Sequence, residues 1–558
     1  MLPSANITLP PSQGGTHHRY NGKDILMNKH QSHHIKNLLL PCLIFSIGTG
    51  VFSSIFITLF KIAVSFIVDA SGNIYDTVRS TPAWLPVLIL GAAVLGLMSA
   101  LILTAFKDSR GGGIPASIAA IRGITGFKWI EGLFILPFST FITFLSGVPL
   151  GTEGPCVQMG TAIGDGVVHV LGGKKHIGWR RYMMTGGAAS GFALATGSPF
   201  TAILFAMEEI HKRFSPLLFS IASISVAVSQ LMSRLFASLG FGTTALFHVD
   251  TLRTFPLARI FIPLLTGLLC GICSVGFIKL YHCVDALIRL KLSKISIRIK
   301  FPIIFALVSL IGFFLAELLG SGHSLIDHLL GEHLLESQTF WYFLVIVFLA
   351  RTIFMMVSNT AGITGGIFLP TLAFGAILGA LCAEAFIALG LIGTEHYTLL
   401  VVIGMVSFLG ASSRIPMTAC VFAIEALGGF HNVLPIIVAV TAAFLTVEAS
   451  GLGDFTGTVI KTRAKAVNKG KQPYVIEVPL TVYKNSFVID KELPDILWPA
   501  SCTLLSIEKG PNKTEKLGIS EGDVLTVHYT TYDPVATAKE FEVLVGDQDE
   551  EIDRIMRP

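Results

Sequence analysis

Long apolar stretches alternate with short, glycine-interrupted ones along most of this chain. The long stretches approach or exceed the length of about 18 residues that spans a bilayer as a helix. They predict membrane helices at 38–67, 84–106, 216–239, 256–288, 301–319, 340–358 and 433–447. Between residues 107 and 215, and again at 362–429, the apolar runs are short and cut by glycines. Such interruption is typical of half-helices that end inside a membrane.

The pattern changes after Thr458, where a basic stretch leads into alternating polar and apolar residues. The alternation predicts strands at 474–480, 504–508, 524–529 and 541–545, separated by turn signals. We therefore expect a small soluble α+β domain at 473–546, reached through a basic linker at 466–472. A polar tail at 1–36 and an acidic tail at 547–558 complete the predicted organisation.

Two parts of the chain repeat each other in sequence. Residues 199–208 and 416–425 are identical at six of ten positions, at an offset of 217. A separate set recurs at an offset of 215, namely Pro155, Gly160 and Gly164 with Pro370, Gly375 and Gly379. Two matches at nearly one offset predict homologous halves, about 37–240 and 255–465, in a transmembrane domain of 37–465. Interrupted helices in corresponding positions of two halves indicate a transporter whose site lies between them.

The two halves differ in their carboxylates. The equivalent pairs are Glu153 with Phe368, Glu209 with Ala426, and Glu208 with Glu425. A carboxylate kept in both halves is expected to have a structural role, such as capping a helix or pairing with a basic residue. The two carboxylates that occur in one half only, Glu153 and Glu209, are the better candidates for directed chemistry.

Composition supports a polytopic membrane protein. Of the 558 residues, 52% are hydrophobic and only 14% are charged, with a mean hydropathy of +0.70, whereas soluble domains have about 25% charged residues. The net charge of +4 is too small to indicate a nucleic-acid partner. The eight cysteines are scattered, mostly in apolar stretches, so no metal site is expected. Basic segments at 1–36, 291–300 and 461–471 place both termini in the cytoplasm.

Three glycine-rich stretches, at 111–115, 151–155 and 365–370, each carry a proline where a helix would begin. Helix N-termini offer unpaired N–H groups and a positive dipole end, which bind an anion without a full positive charge. Such weak, fixed dipoles suit transport, because an ion held by a buried lysine would leave slowly. Glu153 adds a titratable carboxylate that is costly to bury in a bilayer. We predict that these stretches and the region near Asp454 converge on an anion site.

These stretches resemble the CLC family of chloride channels and proton/chloride antiporters, whose motifs read G-S-G-I-P, G-R-E-G-P and G-x-F-x-P. The resemblance covers about residues 37–465. It implies an all-α polytopic membrane protein with two inverted-topology repeats of discontinuous helices. It also implies a homodimer with a separate pore in each subunit, and a transported anion rather than a cofactor as the ligand.

The resemblance assigns roles to individual residues. Glu153 matches the external gate, whose carboxylate accepts a proton or occupies an anion site. Glu209 matches the internal proton-transfer glutamate, which antiporters have and channels generally lack. Backbone amides at the positions of Ile367 and Phe368 bind the central anion. The remaining anion-binding candidates are Gly112, Gly113, Ile114 and Gly154.

Three departures from the family pattern affect these expectations. Thr152 replaces the usual arginine and removes a positive charge beside the gate. Gly112 replaces a serine whose hydroxyl contacts the anion, which leaves selectivity among chloride, fluoride and nitrate open. The tyrosine of the inner gate has no clean counterpart, and Phe455 is the nearest aromatic residue.

We therefore predict secondary active exchange of chloride for protons, in a bacterial inner membrane. Three alternatives stay open: a passive voltage- or pH-gated chloride channel, a fluoride/proton antiporter, and a membrane sensor that conducts nothing. Glu209 favours an antiporter over a channel. The expected partners are an inorganic anion, protons and the lipid bilayer. An enzyme is not predicted, because no P-loop, H-E-x-x-H or G-x-S-x-G motif is present.

The C-terminal domain resembles the TrkA C-terminal (RCK-C) module of many prokaryotic transporters. The resemblance rests on Phe-Val-Ile-Asp-Lys-Glu-Leu at 487–493, and on Leu-Gly and Glu-Gly-Asp within 517–523. It implies a regulatory unit that dimerises or senses a small-molecule ligand.

Overall fold

The structure, a computed structural model, describes residues 38–172, 174–242, 246–247, 249, 252–292, 294–331, 341–468, 471–484, 486–489, 491–510 and 518–546. The predicted tails at 1–36 and 547–558, and residues 469–470 of the predicted linker, lie outside the described residues. The chain divides into a unit that ends at Ile44 and a unit from Phe45 onward. Of the first unit, only residues 38–44 are described.

Helices of very different length make up the first half of the membrane domain. They are α1 Leu40–Ser80, α2 Leu85–Ala105, α3 Ile114–Ile121, α4 Leu136–Leu145, α5 Glu153–Val167, α6 Arg180–Thr196, α7 Pro199–Phe205 and α8 Pro216–Phe236. A π-helical segment, Ala206–His211, extends α7. The short helices α3, α4, α5 and α7 occupy the glycine-cut region, as the interrupted pattern predicts.

The second half has the same mixture of long and short helices. They are α9 Phe261–Ala286, α10 Ile297–Phe314, α11 His323–Gly331, α12 Trp341–Ala361, α13 Phe368–Ala388, α14 Tyr397–Ser413, α15 Pro416–Ala426, α16 Val433–Ala449 and α17 Phe455–Val467. Within the described residues, nine helical segments are long and apolar enough to cross a membrane. The protein is thus a multi-pass integral membrane protein. Every predicted span contains a helix, although α1 continues well beyond the predicted end at residue 67.

Equivalent glycines bring helices into backbone contact in both halves. A Cβ atom on Gly160 of α5 would lie 2.0 Å from the carbonyl oxygen of Gly187 in α6. In the second half, a Cβ atom on Gly375 of α13 would lie 2.5 Å from the carbonyl oxygen of Gly404 in α14. Because no larger residue fits such a crossing, the glycine repeat marks the same helix pair in each half.

Each half also caps a helix of the other. The carboxylate of Glu425 accepts hydrogen bonds from the N–H groups of Phe200 and Thr201, at 2.9 and 2.7 Å, at the start of α7. The carboxylate of Glu208 accepts equivalent bonds from the second and third residues of α15, at 3.0 and 2.6 Å. Both helices begin with proline, so these are their first available donors. The prediction that the paired glutamates are structural is confirmed.

The C-terminal domain contains one antiparallel sheet and one helix. Its strands are β1 Tyr474–Thr481, β2 Cys502–Glu508 and β3 Val524–Thr531, and β3 lies in the middle. In the register, Val478 and Leu504 both face Val527. These strands confirm three of the four strand predictions.

The prediction of a strand at 541–545 is wrong, because α18 spans Pro534–Val545. The side chain of Asp533 accepts a hydrogen bond from the Ala536 N–H at 3.0 Å and caps the helix, and proline occupies its first position. Phe541, Leu544 and Val545 are buried in the domain core. Their spacing of three and four residues is that of a helix face.

Candidate functional site

Three helix N-termini meet at one place in the membrane domain, as predicted. A Cβ atom on Gly154, in the first turn of α5, would lie 2.6 Å from Cα of Gly366 and 3.1 Å from Cα of Gly113. These two residues lie just before α13 and α3. Gly151 and Gly366 also exchange backbone hydrogen bonds of 2.8 and 2.7 Å. The glycines therefore join the starts of α3, α5 and α13 by direct backbone contact.

Unpaired backbone donors lie at this convergence. Among the described residues, the N–H groups of Ile114, Gly154, Ile367 and Phe368 have no hydrogen-bond acceptor. All four residues are buried. The N–H of Gly113 differs, because it donates to Oε1 of Gln158 at 2.5 Å. Buried N–H groups with no protein acceptor, at helix starts, provide a suitable environment for a dehydrated anion.

Glu153 is the first residue of α5, and its side chain is completely buried at the convergence. The hydroxyl of Thr152 donates to Oε1 of Glu153 at 2.9 Å. A Cβ atom on Gly151 would lie 2.5 Å from Oε2, so the carboxyl group covers that glycine. Oε2 has no hydrogen-bond partner among the described residues. Thr152 thus provides a neutral donor where the family resemblance implies an arginine.

A lysine that sequence reasoning missed lies near this carboxyl group. Lys61 lies within α1, and its Nζ donates to the carbonyl oxygen of Leu194 at 2.9 Å. Its charge acts on Glu153 and on the buried Cys156. The signal that could have found it is simple, because Lys61 is the one basic residue in the predicted apolar span 38–67. An ionisable group in such a span is a candidate functional residue.

Glu209 lies in the π-helical segment after α7, and only 1% of its surface is exposed. Its Oε2 has no hydrogen-bond partner in the described part of the chain. Arg122, at the end of α3, donates to the backbone carbonyl groups of Glu209 and Ile210, at 2.9 and 2.7 Å. The short helix α3 therefore connects the two candidate carboxylates, since its N-terminus lies at the convergence and its other end holds the Glu209 backbone.

An ion pair joins the Glu209 segment to α17. Nζ of Lys212 lies 3.1 Å from Oδ2 of Asp454, and the same carboxylate caps α17 by accepting from the Gly457 N–H at 2.8 Å. The side chain of Thr456 also interacts with Glu209. The region near Asp454 thus contacts the proton-transfer candidate, and α17 packs against α3.

The two aromatic candidates pack in different surroundings. The ring of Phe368 lies 5.0 Å from that of Phe192, measured between centroids. The ring of Phe455, the first residue of α17, lies 4.9 Å from Phe277 and 4.8 Å from Tyr281. Phe455 is 1% exposed. Phe455 is therefore a buried aromatic residue beside the Glu209 region, and its role as the inner gate stays a prediction.

The C-terminal domain docks against the segment that follows Glu209. The hydroxyl of Ser215 donates to Oδ1 of Asp495 at 2.5 Å, and Arg213 donates to the carbonyl oxygen of Ile496 at 2.8 Å. At the start of α6, the hydroxyl of Tyr182 donates to the carbonyl oxygen of Asp495 at 2.5 Å. The soluble domain therefore contacts the membrane domain at two places, the start of α6 and the segment that follows Glu209.

One family model and several solved structures are similar to this chain. A family model described as voltage gated chloride channel matches residues 92–448. The structure resembles the crystal structure of a slow cyanobacterial Cl⁻/H⁺ antiporter, with a TM-score of 0.70 and 22% identity, covering 77% of this chain and 99% of that one. It also resembles a eukaryotic CLC transporter, with a TM-score of 0.61 and 18% identity, covering 76% and 74% of the two chains. For a CLC-type fluoride/proton antiporter the TM-score is 0.55 and the identity 19%, over 73% and 95%.

Proposed function

The chain belongs to the voltage gated chloride channel family, and we propose that it is a secondary active antiporter that exchanges chloride for protons. The observation that carries the proposal is the pair of buried carboxylates, Glu153 and Glu209, that occur in one half only. A carboxylate at the convergence competes with an anion for the same N–H groups. A second carboxylate beside α17 gives protons a separate route.

The anion step uses the donors at the convergence. Chloride binds the N–H groups of Ile367 and Phe368, which have no acceptor among the described residues. Neutral donors hold the ion without trapping it. The carboxylate of Glu153 excludes the anion while it is ionised, and Thr152 stabilises it by donating a hydrogen bond. Once protonated, Glu153 no longer attracts the positive helix ends, and the anion takes its place.

The proton step begins at Glu209. Its side chain is buried, and its backbone is fixed by Arg122, so the carboxyl group keeps its position while it gains and loses a proton. The charges of Lys212 and Asp454 lie at the same end and are partly exposed. Protons enter there, pass to Glu153, and leave on the opposite side of the membrane as anions move the other way.

Assembly and location follow from the family and from the charge pattern. We infer a homodimer with one pore in each subunit, in a bacterial inner membrane with both termini in the cytoplasm. The C-terminal domain, which we infer to be a TrkA-C-like regulatory unit, then lies on the cytoplasmic face beside Glu209.

A flux assay in liposomes tests the proposal. Purified full-length protein is reconstituted with a chloride electrode outside and a pH-sensitive dye inside. Chloride that leaves the liposomes down its gradient is expected to drive protons inward, whereas a passive leak that compensates the charge would move protons outward. Fluoride and nitrate are tested in parallel. Chloride efflux without proton movement would identify a passive channel. Faster fluoride than chloride exchange would identify a fluoride antiporter, and absence of flux at every pH would favour a sensor.

Substitution of the gate sharpens the assay. Glu153→Gln imitates the protonated side chain, so anion flux is expected to persist while proton movement falls to the level of empty liposomes. Glu395→Gln is the matched control, because the side chain of that glutamate is 44% exposed and lies outside the convergence. Retained proton pumping in Glu153→Gln would refute the assignment of this residue.

A further inference from the structure

One buried side chain at the convergence has a donor group that the mechanism above does not use. Gln158 lies in α5, five residues after Glu153, and is 2% exposed. Its Oε1 accepts the Gly113 N–H at 2.5 Å. Because the Gly113 N–H group can only donate, the oxygen of the amide must face it, and the NH₂ group takes the other position. Among the described residues, this NH₂ group has no acceptor.

Glycine at position 112 provides the space for this arrangement. A Cβ atom on Gly112 would lie 2.5 Å from Oε1 of Gln158 and 2.5 Å from a terminal methyl carbon of Leu136. A side chain at 112 and the Gln158 amide therefore compete for one volume. A serine at 112 would therefore do more than add a hydroxyl group, because its Cβ atom would also displace the Gln158 amide.

We propose that Gln158 is a ligand of the transported anion, and that its amide NH₂ supplies the donor that Gly112 lacks. The proposal rests on the proposed function, since it needs an anion at the convergence. The Gln158 NH₂ group donates to no acceptor in the described part of the chain, and an anion at the neighbouring N–H groups of Ile367 and Phe368 would provide that acceptor. The ligand class is a monovalent halide, bound by neutral donors only.

The competing explanation is structural. Gln158 could serve only to accept the Gly113 N–H and so fix the start of α3. In that case its loss would lower stability but leave the preference among anions unchanged. The two explanations differ in which atom matters, because the structural role needs Oε1 and the ligand role needs the NH₂ group.

Anion binding to purified full-length protein, measured by calorimetry with chloride, bromide and nitrate, separates these roles. Gln158→Ala is expected to weaken chloride binding about tenfold, as loss of a hydrogen bond to a charged group does. Adding Gly112→Ser to Gln158→Ala is expected to restore most of the affinity, because the serine hydroxyl enters the vacated space. Gln230→Ala, a glutamine in α8 away from the convergence, is the matched control.

Gln158→Met keeps the length of the side chain and a neutral, weak acceptor for the Gly113 N–H but has no NH₂ group, so it guards against a variant that merely misfolds. It is expected to stay closer to the wild-type thermal midpoint than Gln158→Ala and to lose chloride affinity about tenfold. Wild-type affinity in Gln158→Met, or a Gln158→Ala variant that is less stable but binds chloride normally, overturns the proposal. If the wild-type protein itself binds no anion, the proposed function fails instead.

Discussion

The two halves of the membrane domain share their contacts but not their chemistry. In both, a glycine pair lets two helices touch, and a glutamate caps a helix of the other half. The halves differ where an anion and a proton would act. The first half has Glu153, Gln158 and Glu209, and the second has Phe368, Ala373 and Ala426 in their places.

This difference shows what the repeat constrains. Residues that hold one half against the other must match, because each contact has a counterpart across the approximate two-fold relation. Residues at the convergence face one common site, so a functional side chain is needed from one half only. A carboxylate opposite Phe368 can move against a fixed pair of N–H groups, whereas two facing carboxylates would repel each other.

The helix crossings are the most sensitive part of the shared frame. Gly160→Ala places a methyl group 2.0 Å from a backbone oxygen that cannot move aside, and Gly375→Ala places one at 2.5 Å. We expect each to destabilise the protein by about 3 kcal/mol, with Gly160→Ala the worse. Yield and thermal midpoint in detergent measure the effect.

Gly276→Ala in α9 is the control for these crossings, since a Cβ atom there meets nothing within 4 Å. It is expected to leave the midpoint unchanged or to raise it slightly. A wild-type midpoint in Gly160→Ala would show that the α5 and α6 backbones are farther apart than described.

The exchanged caps are expected to have a smaller, symmetric effect. Glu208→Ala and Glu425→Ala each leave two helix N–H groups without their acceptor, which destabilises by about 2 kcal/mol. Because the two sites have the same geometry, their effects on the thermal midpoint should agree. Both variants should retain the wild-type ratio of protons to anions in the liposome assay. A midpoint loss in only one of them would break the equivalence of the halves.

The smallest effect on stability is expected where the halves differ. Glu209→Ala gives the first half the residue of the second, and should reduce proton coupling at least tenfold while folding is kept, in line with loss of a positioned proton donor. The reverse change, Ala426→Glu, should leave the ratio of protons to anions unaltered, because position 426 lacks the setting of Arg122 and Thr456. The flux assay measures both. A changed ratio in Ala426→Glu would mean that repeat position alone determines the function.

Much of the frame was predictable from the sequence because it depends on local patterns. Apolar length located the spans, and paired glycines and prolines located the interrupted helices and the convergence of three N-termini. The end of α1 was missed because hydropathy measures the apolar stretch and not the helix, which continues through polar residues to Ser80. The helix at 534–545 was not predicted, because residues 541–545 alternate as a strand does, although Asp533 and Pro534 together form a helix start.

The partners within the site were not predictable, because they lie far apart along the chain. Gln158 meets Gly113 across 45 residues, and Arg122 meets Glu209 across 87. Nothing in the local sequence of either residue indicates these contacts. Lys61 is the exception, since a lone charge in an apolar span is visible without a structure.

The exchanged caps also determine when the protein can be completed during synthesis. The N–H groups of Phe200 and Thr201 donate to Glu425, which lies 225 and 224 residues further along the chain. In a bilayer no water replaces it, and an unsatisfied backbone donor is costly there. The first half therefore enters the membrane unfinished, and stays so until the ribosome has made Glu425.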